Sequence, residues 1–233
     1  MLKSYDELGY AVINSSKLIQ SVKETKKLFF KEFIPRMSQN TPQVNRQIIK
    51  RFTDHPMVAN LFLNDDLLNI LKRQFNFNIP VKCGPIVSHY TSNNSTGGGY
   101  GLPFHQDYPS MASSKLSVIC WLNLVDSGSE SHGIEIIPSA HKNGVLPGIQ
   151  TDTGYVLNED FVYNKVCHNP EIKAGELLVM SSFTPHRTYV NPNYSGWKLS
   201  LSQRFDDLTD IDWAAIGYRN AYGNTVDREM FKH

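Results

Sequence analysis

Residues 102–107 read LPFHQD, and this stretch decides how the rest of the sequence is interpreted. Side chains two residues apart on a strand point to the same face. An H-x-D step at the end of a strand therefore directs the His105 imidazole and the Asp107 carboxylate to one point. A second imidazole, His186, follows an apolar run farther along the chain. Two histidines and one carboxylate form the facial triad that binds non-haem iron(II) and leaves coordination positions open.

These three residues alone leave two other interpretations open. The tripeptide also occurs by chance, as an exposed pair of polar side chains. His186 can instead pack beneath a loop without binding a metal. The sequence around the three residues is needed to choose between a metal site and these alternatives.

From about residue 80 the sequence has the pattern of an antiparallel β-sandwich or barrel, because strand-like segments alternate with turns rich in Gly, Pro and Asn. The segments are residues 84–90, 116–125, 133–138, 176–182 and 197–205. Two long connections lie between them, at 91–101 (TSNNSTGGGYG) and 150–170. Long loops of this kind often cover active sites, and consecutive glycines give the first one high backbone entropy. We predict that residues 91–101 form a mobile lid.

The first third of the chain favours helices. Apolar residues recur at helical spacing in residues 15–33 and again in 56–75, which predicts two helices. Residues 38–47 are polar and contain Pro42, which predicts a loop between those helices.

Composition excludes several classes of protein. With 233 residues, 40% hydrophobic and 19% charged, the chain is typical of a folded globule. The net charge is +1 and no basic stripe occurs, so no nucleic-acid partner is expected. Three cysteines without a CxxC pair favour a reducing compartment. We find no signal-peptide pattern and no apolar run of about 18 residues, so a soluble cytoplasmic protein without a membrane partner is predicted.

Five segments, in this order, resemble the phytanoyl-CoA dioxygenase family. They are LPFHQD at 102–107, LSVICWLNLVD at 116–126, HGIEIIPSAHKNGVL at 132–146, KAGELLVMSSFTPHRTYVN at 173–191 and WKLSLSQRF at 197–205. The resemblance implies a mainly β fold with helices: a double-stranded β-helix, or jelly roll, packed on N-terminal helices. It also implies iron(II) bound by His105, Asp107 and His186, with 2-oxoglutarate as cosubstrate and O2 as oxidant.

The resemblance further implies a basic residue that binds the distal carboxylate of 2-oxoglutarate, on the strand after the distal histidine. The family usually has arginine there, whereas this chain has Lys198, which pairs with a carboxylate as a point charge. Ser200 lies on the same strand face as Lys198 and is expected to add a hydrogen bond. Arg204, farther along the strand, is the second candidate for binding the distal carboxylate. Ser117, on another strand, is a further candidate for contact with the cosubstrate. The alternative for Lys198 is a surface lysine on an edge strand. His89 either faces the substrate or is a core histidine.

We expect one domain over residues 1–233, with a helical part at 1–79, the jelly-roll core at 80–206 and a C-terminal extension at 207–233. The predicted function is hydroxylation of an unactivated C–H bond in a small metabolite. Halogenases of this kind have a small residue where this chain has Asp107, so halogenation is disfavoured, whereas desaturation and cyclisation stay open. The alternative function is a jelly-roll module that binds a metal or small molecule without oxygenase activity.

Overall fold

The computed structural model describes residues 2–37, 40–92, 101–111, 113–151 and 154–219. The helices are α1 (Lys3–Leu8), α2 (Ser16–Leu28), α3 (Ile34–Met37), α4 (Pro42–Thr53), α5 (Pro56–Phe62), α6 (Asp65–Gln74), α7 (Tyr108–Met111), α8 (Glu159–Val162) and α9 (Ile211–Ala215). The strands are β1 (Tyr10–Ile13), β2 (Pro80–Lys82), β3 (Val87–Ser92), β4 (Val118–Asn123), β5 (Gly133–Ile136), β6 (Gly148–Thr151), β7 (Gly154–Leu157), β8 (Leu177–Ser181), β9 (His186–Tyr189) and β10 (Trp197–Asp207). No helix among the described residues is long and apolar enough to cross a lipid bilayer.

The helix predicted at 15–33 is confirmed. The Ser15 side chain accepts a hydrogen bond from the backbone N–H of Leu18, which satisfies one of the free donors at the start of α2. Beyond α2 the chain continues through a π-helical turn, Phe29–Phe33, into α3. The buried face of α2 includes Leu18 and Val22.

Two other N-terminal predictions were wrong in detail. Residues 56–75 form two helices, because Asn64 is extended and its side chain caps a new helix, α6, by accepting from the Asp66 N–H. The loop predicted at 38–47 is replaced from Pro42 onward by α4. Proline is favoured in the first turn of a helix, and the Thr41 hydroxyl caps α4 from outside.

The predicted jelly roll is present as two facing β layers. The larger sheet has the strand order β1-β8-β4-β10-β2, and β3 also pairs with β10. The smaller layer contains the antiparallel pairs β5–β9 and β6–β7. Each of the five strand segments predicted beyond residue 80 overlaps a strand of the structure. Strand β10 is paired with β3 on one edge and β4 on the other, so it lies in the interior of the larger sheet.

The two faces of β10 have different chemistry, and this difference positions the site. Leu199, Leu201 and Phe205 pack into the large hydrophobic core shared with the N-terminal helices. The alternate residues of β10 point to the opposite face, between the two layers; they are Lys198, Ser200, Ser202 and Arg204. The same alternation on β4 puts Trp121 on that inner face.

Candidate active site

His105 lies between two strands of the smaller layer. Its backbone N–H donates to the His186 carbonyl at 3.0 Å and its carbonyl accepts from the His186 N–H at 3.1 Å. The strand expected at 102–107 is thus reduced to a bridge at one residue. The physical reason is local: Pro103 has no N–H for a ladder, and the Asp107 carbonyl already accepts from the first turn of α7.

The structure brings His105, Asp107 and His186 together. Their potential ligand atoms all lie within 4.8 Å of one another. The two imidazole centroids are 4.2 Å apart, and His105 Nε2 lies 3.5 Å from Asp107 Oδ1. Asp107 and His186 are each 3% exposed, so this cluster is not a chance arrangement of solvated side chains.

The backbone sets the same orientation in both imidazoles. His105 Nδ1 lies 2.8 Å from the Pro103 carbonyl oxygen, and His186 Nδ1 lies 2.9 Å from the Thr184 carbonyl oxygen. A carbonyl only accepts, so each Nδ1 carries a hydrogen, and Nε2 is the nitrogen of each ring that is left to bind a metal. Metal-binding histidines are commonly held in this way, with one nitrogen on the protein and the other on the metal.

The charges of the cluster also suit a divalent metal. Burial and the neighbouring His105 lower the pKa of His186 to about 4, so this imidazole is neutral at pH 7. Burial alone raises the pKa of Asp107. Arg204 and the two histidines outweigh burial and hold it well below its usual range. The site therefore offers a neutral imidazole at His186 and an ionised carboxylate, the forms that a metal requires.

Arg204 reaches Asp107 from the inner face of β10. Its Nε and Nη2 donate to Asp107 Oδ2 at 3.1 Å and 2.6 Å, and its Nη1 donates to Ser202 Oγ at 2.8 Å. The sequence had suggested Arg204 as a ligand of 2-oxoglutarate. The structure pairs its guanidinium with the carboxylate of the triad, an arrangement that sequence reasoning missed, and a contact between Arg204 and 2-oxoglutarate stays a prediction.

Lys198 is 2% exposed and lies on a strand inside the sheet, so the alternative of a surface lysine on an edge strand is wrong. Its ammonium donates to the Gly133 carbonyl at 2.6 Å and lies 5.6 Å from the centre of the Trp121 ring. Burial lowers the pKa of Lys198 to about 7. In the part of the chain that the structure describes, no carboxylate forms an ion pair with it.

The two serines predicted to help bind the cosubstrate have protein partners. Ser200, on the same face of β10 as Lys198, donates weakly to the His89 carbonyl at 3.4 Å. Ser117 belongs to a buried hydroxyl cluster in which its Oγ lies 2.9 Å from Ser113 Oγ and 2.8 Å from Ser182 Oγ. Neither serine lines the cavity that opens beside the triad.

A cavity of about 260 Å³ opens beside the triad, with His105, Asp107 and Arg204 in its wall. His89 also lines it, stacked on Trp121 with ring centres 4.5 Å apart. From the sequence, His89 was either a substrate contact or a core residue. Its ring lies in the cavity wall and also packs against the core residue Trp121.

Two further residues of the cavity were missed by sequence reasoning. Ser110, on α7, has a buried hydroxyl without a hydrogen-bond partner among the described residues. Tyr155 lies on β7 of the β6–β7 hairpin, and β7 falls inside the predicted loop at 150–170. Its position depends on tertiary pairing, since the bridge between His105 and Val156 brings this hairpin to the metal motif. Of the predicted lid at 91–101, residues 93–100 lie outside the described residues, and Thr91 and Ser92 end β3.

The model of the phytanoyl-CoA dioxygenase (PhyH) family matches residues 5–195 of the chain. No curated protein matches the sequence significantly. One similar solved structure is EctD from S. alaskensis with 2-oxoglutarate and 5-hydroxyectoine, with a TM-score of 0.61, 13% identity, and 88% of this chain and 74% of EctD covered.

Two enzymes of nogalamycin biosynthesis are also similar. The carbocyclase SnoK has a TM-score of 0.58 and 14% identity, with 88% of this chain and 82% of SnoK covered. The epimerase SnoN, solved with Fe3+, alpha ketoglutarate and nogalamycin RO, has a TM-score of 0.52 and 16% identity, with 88% and 82% covered. At these identities the likeness concerns the fold, and it agrees with the jelly roll of this chain.

Proposed function

Because this chain belongs to the phytanoyl-CoA dioxygenase family, whose members use iron(II), 2-oxoglutarate and O2, we propose that it hydroxylates an unactivated C–H bond of a small molecule. The iron ligands in this proposal are His105, Asp107 and His186. One observation carries it: two imidazoles and a carboxylate converge within 4.8 Å, and each imidazole turns Nε2 away from its backbone acceptor.

The donor set fits iron(II). Nitrogen and oxygen donors in a two-histidine, one-carboxylate arrangement are those of non-haem iron oxygenases, and the ionised Asp107 balances half of the charge of a divalent ion. Asp107 and His186 are each 3% exposed, while the side chain of His105 is 14% exposed. Two of the three proposed ligands, His105 and Asp107, also line the cavity in which a substrate would bind.

Lys198 is our candidate for binding the distal carboxylate of 2-oxoglutarate. It is a buried cation whose observed partners are a carbonyl oxygen and an aromatic ring, and neither neutralises its charge. A buried charge without a counter-ion is costly, so an anion that enters the space between the layers would gain a strong interaction there. Arg204 is the weaker candidate, because its guanidinium already pairs with Asp107.

The bound iron, with 2-oxoglutarate and O2, would supply the oxidation of the substrate C–H bond while 2-oxoglutarate is converted to succinate and CO2. The protein's part is binding and orientation. The triad holds two imidazoles and one carboxylate at a fixed point, and Lys198 supplies a cation for the cosubstrate. Around the cavity, the hydroxyl of Ser110 offers a hydrogen bond to the substrate, and His89 and Tyr155 form walls that limit its size.

The cavity of about 260 Å³ is at the lower end of small-molecule sites, which favours a compact metabolite as the substrate. Enzymes of the same fold include an epimerase and a carbocyclase, so the fold does not choose the reaction. Asp107 as a ligand disfavours halogenation, and among the reactions that it leaves open we propose hydroxylation. A product that gains one oxygen atom would support this choice. An isomer would replace it with epimerisation, and a product two hydrogens lighter would replace it with desaturation or cyclisation. A cytoplasmic location stays a prediction.

The test is release of succinate by the iron(II)-loaded protein supplied with 2-oxoglutarate, O2 and candidate metabolites. We expect His105→Ala and His186→Ala to abolish both turnover and binding of iron(II), because each removes one of three ligands. His55→Ala is the matched control, since His55 caps α5 through its own Nδ1 and takes no part in the triad. Iron binding without 2-oxoglutarate consumption under any condition would favour the alternative of a binding module.

A further inference from the structure

We propose that Arg204 is a positioning residue that holds Asp107 by one oxygen, so that the carboxylate presents only Oδ1 to the metal. The inference rests on the proposed function and adds a role that the triad itself does not define. The guanidinium makes two N–H bonds to the same atom, Asp107 Oδ2, while Oδ1 lies on the side of His105.

The arrangement is rigid. Arg204 and Asp107 are 2% and 3% exposed, so water does not compete for their hydrogen bonds. The third N–H bond of Arg204, to Ser202 Oγ, keeps the plane of the guanidinium fixed. Ser202 in turn lies 3.3 Å from His89 Nε2, so the support extends to the wall of the cavity. All of these groups except Asp107 are carried by β10 and the neighbouring β3, which pair over six residues.

The reason this matters is the number of open coordination positions. A carboxylate can bind a metal through one oxygen or through two. A second bound oxygen would occupy a coordination position that the cosubstrate or O2 needs. Two charge-assisted N–H bonds to Oδ2 compete with the metal for that oxygen. Arg204 therefore keeps the triad at three donors, and its effect on the cosubstrate is indirect, through Asp107.

The experiment uses Co(II), whose visible absorption reports coordination number, added to the full-length protein without 2-oxoglutarate. We expect Arg204→Met to bind Co(II) with an altered spectrum, because Asp107 is free to bind through both oxygens. Lys198→Met should keep the wild-type Co(II) spectrum, because Lys198 contacts no ligand of the triad. On adding 2-oxoglutarate, Arg204→Met should bind it roughly tenfold more weakly or worse, because the released second oxygen of Asp107 competes with 2-oxoglutarate for a coordination position. Arg204→Lys should lie between wild type and Arg204→Met, since lysine restores the charge but not the fork.

The outcomes separate the two levels of the proposal. Wild-type protein that binds no Co(II) would refute the proposed function itself. Wild-type binding together with an unchanged spectrum and unchanged 2-oxoglutarate affinity in Arg204→Met would overturn only the role of Arg204. If the Arg204 variants fail to fold, a crystal structure of the wild-type Co(II) protein decides instead. Asp107 bound through one oxygen, with Oδ2 on Arg204, is the expected result, and both oxygens on the metal would overturn the inference.

Discussion

Lys198, the residue proposed to bind the cosubstrate, is buried where its charge opposes stability. A lysine in the interior of a sheet loses its hydration, and burial lowers its pKa from the usual 10.5 to about 7. Between these two values the unfolded chain holds a proton that the folded protein has released, so stability rises as the pH rises through this window. Below about pH 7 both states are protonated, and the cost of burying the charge is present in full.

We therefore expect Lys198→Met to stabilise the folded protein relative to wild type most strongly at or below pH 7, with an advantage that shrinks by about 1 kcal/mol or more between pH 7 and pH 9. The same variant should bind 2-oxoglutarate at least about tenfold more weakly, because the cation is gone. Urea unfolding at the two pH values and anaerobic titration of 2-oxoglutarate into the iron(II) protein measure these effects.

Lys82→Met is the control for this prediction. Lys82 lies on β2 of the same sheet but is exposed, so its ammonium stays in water in both states. Its substitution should change stability equally at both pH values. A pH-independent effect in Lys198→Met would mean that the lysine is not held in a desolvated place, and intact 2-oxoglutarate binding would transfer the role to another cation.

At the scale of elements, the first strand supports the distal histidine. The Gly9 carbonyl, just before β1, accepts from the Thr184 hydroxyl at 2.7 Å and from the Ser181 N–H at 2.9 Å. Thr184 in turn provides the carbonyl that binds His186 Nδ1. Gly9 itself has a φ of 85°, in the left-handed region that favours glycine, where it ends α1. The N-terminal segment thus holds the loop that presents a candidate iron ligand.

We expect Gly9→Ala to destabilise the protein by more than the roughly 1–2 kcal/mol that a left-handed alanine costs by itself. The added Cβ would lie 2.6 Å from both His141 Nδ1 and Thr184 Oγ1, so these side chains must move. Because Thr184 moves with them, the affinity for Co(II) should also fall. Denaturant unfolding and Co(II) titration provide the two measurements.

Gly217→Ala separates the two causes. Gly217 has a φ of 77°, but a Cβ there would meet no atom of the described residues within 4 Å. It should cost only the backbone strain and leave Co(II) affinity at the wild-type value. Equal losses of stability in the two variants, with metal affinity unchanged in both, would show that β1 does not support the site.

The sequence predicted the elements whose own residues carry a strong pattern. Helix α2 and strands β4, β8 and β10 have long periodic or apolar runs, and all were located. The hairpin β6–β7 was missed because its strands are four residues long and mostly half-exposed, which gives little alternation. Helix α4 was missed because Pro42 was taken as a sign of a loop, although it stands at a position where proline suits a helix start.

At the scale of the whole molecule, residues far apart in sequence meet only through strand register. His105 and His186 could be paired from motif and family resemblance, because both lie in segments with a recognisable pattern. The contact between Arg204 and Asp107 could not, since it depends on β10 pairing with β4 in a register that puts Arg204 opposite Ile119. A shift of one residue would turn Arg204 to the helix side and place Phe205 at the metal.

The convergence of separate elements on one point has a consequence for stability. The triad joins the segment before α7 to β9, while Lys198 and Arg204 belong to β10, so a metal and cosubstrate bound there would link both layers. A ligand that binds only the folded state stabilises it by RT ln(1 + [L]/Kd), which is about 2.7 kcal/mol at a hundredfold excess over Kd. For a chain of this size that corresponds to a rise in Tm of about 5–10 °C.

We therefore expect Co(II) to raise the Tm of the wild-type protein by an amount of this order, and 2-oxoglutarate to add a further rise only when Co(II) is present. Without the metal, 2-oxoglutarate keeps the contact proposed for Lys198 but has no metal to bind, so its own effect on the Tm should be small.

His105→Ala is the informative variant, because His105 is the most exposed of the three ligands and its removal disturbs the core least. It should lose both shifts while its unfolding without ligands stays close to wild type, and His55→Ala should retain both. A Co(II) shift that survives in His105→Ala would place the metal elsewhere on the protein, and a 2-oxoglutarate shift that is independent of Co(II) would show that the cosubstrate binds away from the triad.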